Sequence, residues 1–302
     1  MIEIKIKDKI FKNPIFTASG TFSPEFKKYC DTAKIGAIFT KTITLLPKEG
    51  NPPERLWEVP CGLLNSIGLD NPGVTKFKKK ELPEYLGLGT EIFVSVGGEK
   101  IEEFCEIIEK LEDTKIAGYE LNLSCPNVEK GREFCKDLKS LEELLREVRK
   151  LTPKVLICKL SAIVNDICEV AKLCEDMGAD AITLINTLPA LAINVDTRKP
   201  YLGGITGGLS GPAIKPVSLY CVYKVKKVCN VPIIGCGGVT SLRDALEYFI
   251  AGATAIQVGT YNFVNHKICE DLVDNLISYL KSKGIGIDEL IGSVDDEIDS
   301  ST

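Results

Sequence analysis

Eight short apolar runs recur along the chain, each followed by a segment compatible with a helix, and this alternation limits the fold more than any other feature. The runs cover residues 14–19, 37–41, 92–96, 118–123, 155–160, 181–185, 232–235 and 255–258. The helix-compatible segments cover residues 24–34, 74–86, 100–111, 138–151, 166–177, 213–228, 242–251 and 267–281. Ser241 stands where a side-chain oxygen can cap the seventh segment, and Gly178 and Gly252 stand where the fifth and seventh should stop. Runs this apolar fit strands buried on both faces, the condition of parallel strands covered by helices. Eight β-then-α units in series therefore predict an α/β fold closed as a (β/α)8 TIM barrel, with an open doubly wound sheet as the structural alternative. Residues 2–11 alternate Ile with charge and predict a short β-hairpin ahead of the barrel. The whole of residues 1–302 reads as a single domain.

Composition narrows the partners. The chain is 44% hydrophobic, enough for a large core, and 37 basic against 42 acidic residues leave a formal charge of −5. There is no long basic run and no basic patch interleaved with aromatics, which argues against nucleic acid; Lys78, Lys79 and Lys80 read as a solvated helix face. No apolar run approaches the roughly 20 residues of a membrane span, and the first residues lack the pattern of a secretory signal. These features predict a cytoplasmic protein. The 12 cysteines are scattered without C-x-x-C spacing, so no metal site or iron–sulfur ligand set is expected on this chain. Most of these thiols read as small buried hydrophobes. His266 is the one histidine, which removes a Ser-His-Asp triad, a Cys-His pair and a His-rich metal site from consideration.

Polar residues gather at the carboxyl ends of the eight runs. Ser19, Lys41 and Thr42, Gly97 and Gly98, Asn122, Lys159, Asn186 and Thr187, Gly237 and Gly238, and Gly259 and Thr260 all stand there. Core packing would carry Val, Ile and Leu to the last residue, so a ring of amides, hydroxyls and lysines points to a polar ligand. The glycine turns after the seventh and eighth runs can offer bare N–H groups to a phosphate, although glycine also permits a tight turn without any ligand. Lys41 and Lys159 can stabilise negative charge on a bound ring or carboxylate, or serve as ion-paired structural residues. Asn65, Asn122, Asn127 and Asn186 suit a planar ligand rich in imide groups. Two long connections, residues 42–73 and 186–212, leave the same end and can roof one site.

Residues 119–127 read Y-E-L-N-L-S-C-P-N, with Pro126 helping to end the strand. With catalytic histidine excluded and Glu120 the one acidic group near a strand end, Cys125 is the candidate acid–base group. An ordinary thiol has a pKa of about 8.5, close enough to neutrality for proton transfer. The plain alternative is a buried free cysteine.

Longer motifs then carry a resemblance. K-T-I-T-L at Lys41, N-S-I-G-L-D-N-P-G at Asn65, N-L-S-C-P-N at Asn122, I-N-T at Ile185, S-G-P-A-I-K-P at Ser210 and G-C-G-G-V at Gly235 stand in order along the chain. Over nearly its whole length the chain resembles class 1 dihydroorotate dehydrogenases, flavin enzymes of pyrimidine (UMP) biosynthesis. The resemblance implies that Cys125 takes the C5 proton of dihydroorotate while hydride passes from C6 to N5 of one FMN per chain, giving orotate. It implies FMN contacts from Ser19, Lys41, Thr42, Asn122, Lys159, Ile185, Gly211, Gly237, Gly238, Gly259 and Thr260. It implies substrate contacts from Lys41, Asn65, Ser66, Ile67, Gly68, Leu69, Asn122, Asn127, Asn186 and Thr187. The sixth connection, N-V-D-T-R-K-P-Y-L-G-G-I-T-G-G-L-S-G-P from Asn194, is similar to the NAD-linked class 1B catalytic subunit. That likeness implies an iron–sulfur flavoprotein partner carrying FAD and a 2Fe-2S cluster, in a heterotetramer built on a homodimer of this chain. The fumarate-linked class 1A enzyme and the FMN barrel of dihydropyrimidine dehydrogenase, acting on uracil or thymine, are the neighbouring alternatives.

Overall fold

The computed structural model describes residues 2–123 and 134–296. Eight parallel strands form the centre: β1 (Ile15–Thr17), β2 (Ala37–Phe39), β3 (Glu91–Val96), β4 (Gly118–Asn122), β5 (Val155–Leu160), β6 (Ala181–Leu184), β7 (Ile233–Cys236) and β8 (Ala255–Val258). They pair in sequential order and close, with β8 against β1. The molecule is a (β/α)8 TIM barrel, as the alternation predicts. Every residue of β5, β6, β7 and β8 is buried, one face by the barrel interior and the other by helices.

Helices cover the barrel because their apolar residues fall on one stripe. Ile101–Leu111 buries Phe104, Ile107, Ile108 and Leu111, and Leu138–Leu151 buries Leu141, Leu144, Leu145 and Val148, both at helical spacing. Each such side chain contributes about 1.5–3 kcal/mol by leaving water. Asp137, Asp166 and Ser241 cap their helices by accepting backbone N–H bonds, and Gly252 ends Leu242–Ala251 in the left-handed region at φ 113°. The expected N-terminal hairpin is present: Ile4–Ile6 pairs antiparallel with Lys9–Phe11. Its Phe11 packs on Phe16 and Phe93, at ring separations of 5.3 Å and 5.9 Å, and so joins an aromatic cluster under the barrel.

Three expectations change. Residues 24–34 are not one helix but two 3-10 turns, Pro24–Lys28 and Thr32–Lys34. Pro24–Lys28 buries no side chain and Ser23 makes no cap bond, while Asp31 accepts from Ala33 N and starts a separate turn. A segment without a stripe to pack gains too little to propagate a helix. Residues 74–86 are interrupted by a π turn, Phe77–Glu81, just ahead of Pro83. Proline has no N–H for the regular ladder, and the wider turn accommodates that loss. The third change lies in the two long connections, which are not mere loops. Leu56–Val59 and Gly62–Asn65 from the first join Gly207–Ser210 and Leu188–Ala190 from the second in a four-stranded antiparallel sheet. Trp57 stacks on Tyr201 at 3.7 Å between ring centres, a further contact between the two connections.

Two tests follow from the β7 connection. A Cβ at Gly235 would lie 2.3 Å from the Tyr248 ring, so Gly235→Ala is expected to cost about 1–3 kcal/mol by overpacking. A urea midpoint equal to that of the wild type would contradict this packing. Burial opposes charge on Asp244, but the Lys215 ammonium, the N–H and hydroxyl of Thr240 and the Ser241 hydroxyl hold its carboxyl down at about 2, against an ordinary 3.8. A depressed folded value contributes stability above the unfolded value and loses it as pH falls through the folded one. Asp244→Asn should therefore be less stable near neutrality, with the deficit shrinking as pH drops from 3.8 towards about 2. A deficit that stays constant over that window would rule the ion pair out as its source.

Candidate active site

A cavity of about 380 Å³ opens at the carboxyl ends of the strands, under the four-stranded sheet. That size falls in the range of small-molecule sites, about 300–1,000 Å³. Strand alternation fills it with polar groups. Along β4, Tyr119 turns outward, where its hydroxyl donates to Ile108 O at 3.3 Å, while Glu120 and Asn122 turn inward. Asn122 reaches the mouth and Glu120 stays one layer below.

At the mouth a chain of hydrogen bonds crosses the barrel. The hydroxyls of Ser19 and Thr42 stand 3.4 Å apart, and Asn122 Nδ2 donates to Thr42 Oγ1 at 3.4 Å. Asn186 Nδ2 donates to Asn122 Oδ1 at 3.2 Å, and Asn186 Oδ1 accepts from Thr187 N at 2.8 Å. The amide orientations are thereby fixed by their neighbours. Asn65, from the covering sheet, donates to Gly208 O at 3.1 Å and faces the same space.

The far wall is a glycine cradle. Gly211, Gly237 and Gly238 adopt φ of 92°, 143° and 68°, a region that disfavours side chains. A Cβ at Gly238 would also lie 2.8 Å from Lys215 Cβ and 2.9 Å from Gly211 O. The N–H groups of Gly237, Gly238 and Gly259 have no acceptor among the described residues. Tyr248 donates to Gly237 O at 2.6 Å and Asp244 accepts from Thr240 N at 2.9 Å, so the helix behind holds the turn in shape. Open N–H groups on a rigid turn suit an anionic group such as a phosphate.

Two lysines supply positive charge. Lys41 is half-buried at the rim, and burial lowers its pKa, partly opposed by Asp70 and Glu81 and assisted by Arg55. Lys159 lies on the floor at 6% exposure, 3.8 Å from Glu120 Oε1 and 3.4 Å from Gln257 Oε1. Burial works against its charge, yet Cys236 and Glu120 raise its pKa overall.

The cavity brings together most of the residues singled out in the sequence. Ser19, Lys41, Thr42, Asn122, Lys159, Ile185, Gly211, Gly237, Gly238, Gly259 and Thr260 line it, as do Asn65, Ile67, Gly68, Leu69, Asn186 and Thr187. Ser66 does not. It is 1% exposed and its hydroxyl accepts from Asn51 Nδ2 at 2.9 Å, in the seam between the two long connections. Cys125 and Asn127 lie outside the described residues. Gln257 and Thr183 were not singled out, although both bond Glu120 beneath the cavity floor. A Gln and a Thr inside otherwise apolar strands were the available signal.

Comparison with known proteins agrees with this geometry. The family model described as "Dihydroorotate dehydrogenase" matches residues 1–280. A Thermoanaerobacter pseudethanolicus protein named "Dihydroorotate dehydrogenase B (NAD(+)), catalytic subunit" is 44% identical over 297 residues, covering 97% of this chain and 98% of that one. Proteins of the same name from Thermodesulfovibrio yellowstonii and Caldicellulosiruptor bescii are 44% and 46% identical, covering 97% of this chain and 98% and 99% of theirs. The chain belongs to the dihydroorotate dehydrogenase family, and within it its likeness is to the NAD-linked class 1B catalytic subunits.

Proposed function

We propose that this chain oxidises dihydroorotate to orotate in the cytoplasm as the FMN-bearing catalytic subunit of an NAD-linked enzyme. One observation carries the reading: two lysines, three asparagine amides and a glycine cradle converge on a single cavity in a chain of this family. Bound FMN would supply the two-electron acceptor for the hydride that leaves C6 of the substrate. The chain's own residues do the rest. Gly237, Gly238 and Gly259 offer N–H groups to the cofactor phosphate, with Gly211 and Thr260 beside them. Ser19, Thr42 and Ile185 flank the space for the ring, and Lys159 sets a positive charge below it.

Asn65, Asn122 and Asn186 present both donors and acceptors to the imide edge of a pyrimidine, while Lys41 at the rim meets a carboxylate. Ile67, Gly68, Leu69 and Thr187 close the substrate side and exclude water. Asn127 is assigned a further substrate contact and Cys125 the role of base. As the C5 proton moves to the Cys125 thiolate, the C5–H electron pair becomes the C5=C6 double bond and hydride departs from C6. A partner subunit carrying FAD and a 2Fe-2S cluster would supply the route for the electrons to NAD. We place this chain as a homodimer within a heterotetramer with that partner, all on one FMN-binding barrel domain per chain.

The purified chain should be yellow or turn yellow with added FMN, and its flavin should bleach under anaerobic dihydroorotate. Bleaching by dihydrouracil alone would overturn the substrate, and a protein that stays colourless with FMN would overturn the enzyme. Cys125→Ser should keep its colour and lose about a hundredfold or more in dihydroorotate turnover near neutral pH, the scale of a lost general base. Full activity in that variant would remove Cys125 from the mechanism.

A further inference from the structure

Glu120 is unusual among the buried side chains. It is 0% exposed, and its Oε1 is a buried oxygen without a hydrogen-bond partner among the described residues. Its Oε2 is well served, accepting from Gln257 Nε2 at 2.8 Å and from Thr183 Oγ1 at 3.0 Å. Oε1 instead faces the Lys159 ammonium at 3.8 Å. Two donors on one oxygen and a cation beside the other suit a carboxylate, not a carboxyl group that must place its own proton. A buried ion pair with an unsatisfied oxygen stabilises a fold less than a well-packed apolar pair would. Packing alone therefore does not account for it.

We propose that Glu120 is a positioning residue: it keeps Lys159 charged and aimed at the cavity floor, so that a ring bound there meets a fixed positive charge. Gln257 and Thr183 hold the carboxylate, and Gln257 also turns its Oε1 to Lys159 at 3.4 Å. The inference rests on the reading of the cavity as a flavin site.

The alternatives for Lys159 are few. An ammonium closed off from water tends to lose its proton unless a counter-charge stands nearby. Among the described residues, the titratable groups facing it are Glu120 from β4 and Cys236 from β7. Burial pushes the Cys236 thiol up, with Glu120 adding to the effect and Lys159 opposing it, so Cys236 is neutral near physiological pH. Near neutrality, where that thiol holds its proton, Glu120 is the one charge among the described residues that offsets the burial of Lys159. The pair works as a unit, with the glutamate acting through the lysine and out of reach of the ligand.

The test is the equilibrium constant for two-electron reduction of bound FMN, measured by dye equilibration from about pH 6 to about pH 9, a window that a buried lysine without its partner enters. The Glu120→Gln to wild-type ratio of this constant should fall at least tenfold across the window, about 30 mV for a two-electron couple. A Lys159→Met reference gives the uncharged limit. A ratio that stays constant with pH, whether near one or uniformly raised, would show that Lys159 keeps its proton without Glu120 and would overturn the proposal. Thr183→Val and Gln257→Leu each withdraw donors from the carboxylate and should show a smaller fall of the same sign. If Glu120→Gln does not fold, pH-invariant ratios in those two variants overturn the proposal instead. A wild-type chain that binds no FMN would remove the flavin reading and this inference together, whereas a flavin-loaded wild type with invariant variant ratios removes this inference alone.

Discussion

Closing eight parallel strands on themselves leaves a polar side chain two favourable places. It can stand at the carboxyl-end mouth, where loops and ligand meet, or it can turn into the interior, where it must find a partner. Asn122 and Glu120, two residues apart on β4, occupy one place each. The polar layering of the candidate site follows from that geometry. The mouth collects hydroxyls and amides from β1, β2, β4 and β6, and the interior beneath it holds one satisfied oxygen and one reserved for Lys159.

The covering sheet depends on the same closure. The two connections leave opposite sides of the barrel rim, after β2 and after β6, and each is long enough to reach over the mouth, where Leu64 of the first meets Leu209 of the second in register. Contacts without a spare atom lock the seam: a Cβ at Gly203 would lie 2.3 Å from Pro52 O, and one at Gly204 would lie 2.3 Å from Ser66 Oγ. The roof is thus a built element, and it positions Asn65 over the mouth without the freedom of an open loop.

Much of this was legible in the sequence because strand alternation and helical spacing are local. Apolar runs marked the strands, and residues just past them marked the mouth. The same local reading overextended at residues 24–34, where Asp31 starts a second turn and no apolar stripe holds a helix together. It missed the covering sheet because G-L-L-N and G-G-L-S are short and glycine-rich, and their pairing joins residues 143 positions apart. Ser66 sits in a motif whose neighbours Asn65 and Ile67 line the cavity, yet its own hydroxyl is taken up by Asn51. Glu120 was visible as a lone acid, but its partners Gln257 and Thr183 come from strands distant in sequence, and only barrel closure brings them together.

The central claim is that the cavity at the carboxyl ends of the barrel holds a flavin on a glycine cradle with a pyrimidine against its asparagines. A crystal structure of the chain with FMN and orotate tests it most directly. The account predicts the flavin phosphate on the N–H groups of Gly237, Gly238 and Gly259, and orotate hydrogen-bonded to Asn65, Asn122 and Asn186. Flavin or orotate bound at another face of the barrel, with this cavity filled by water, would contradict it.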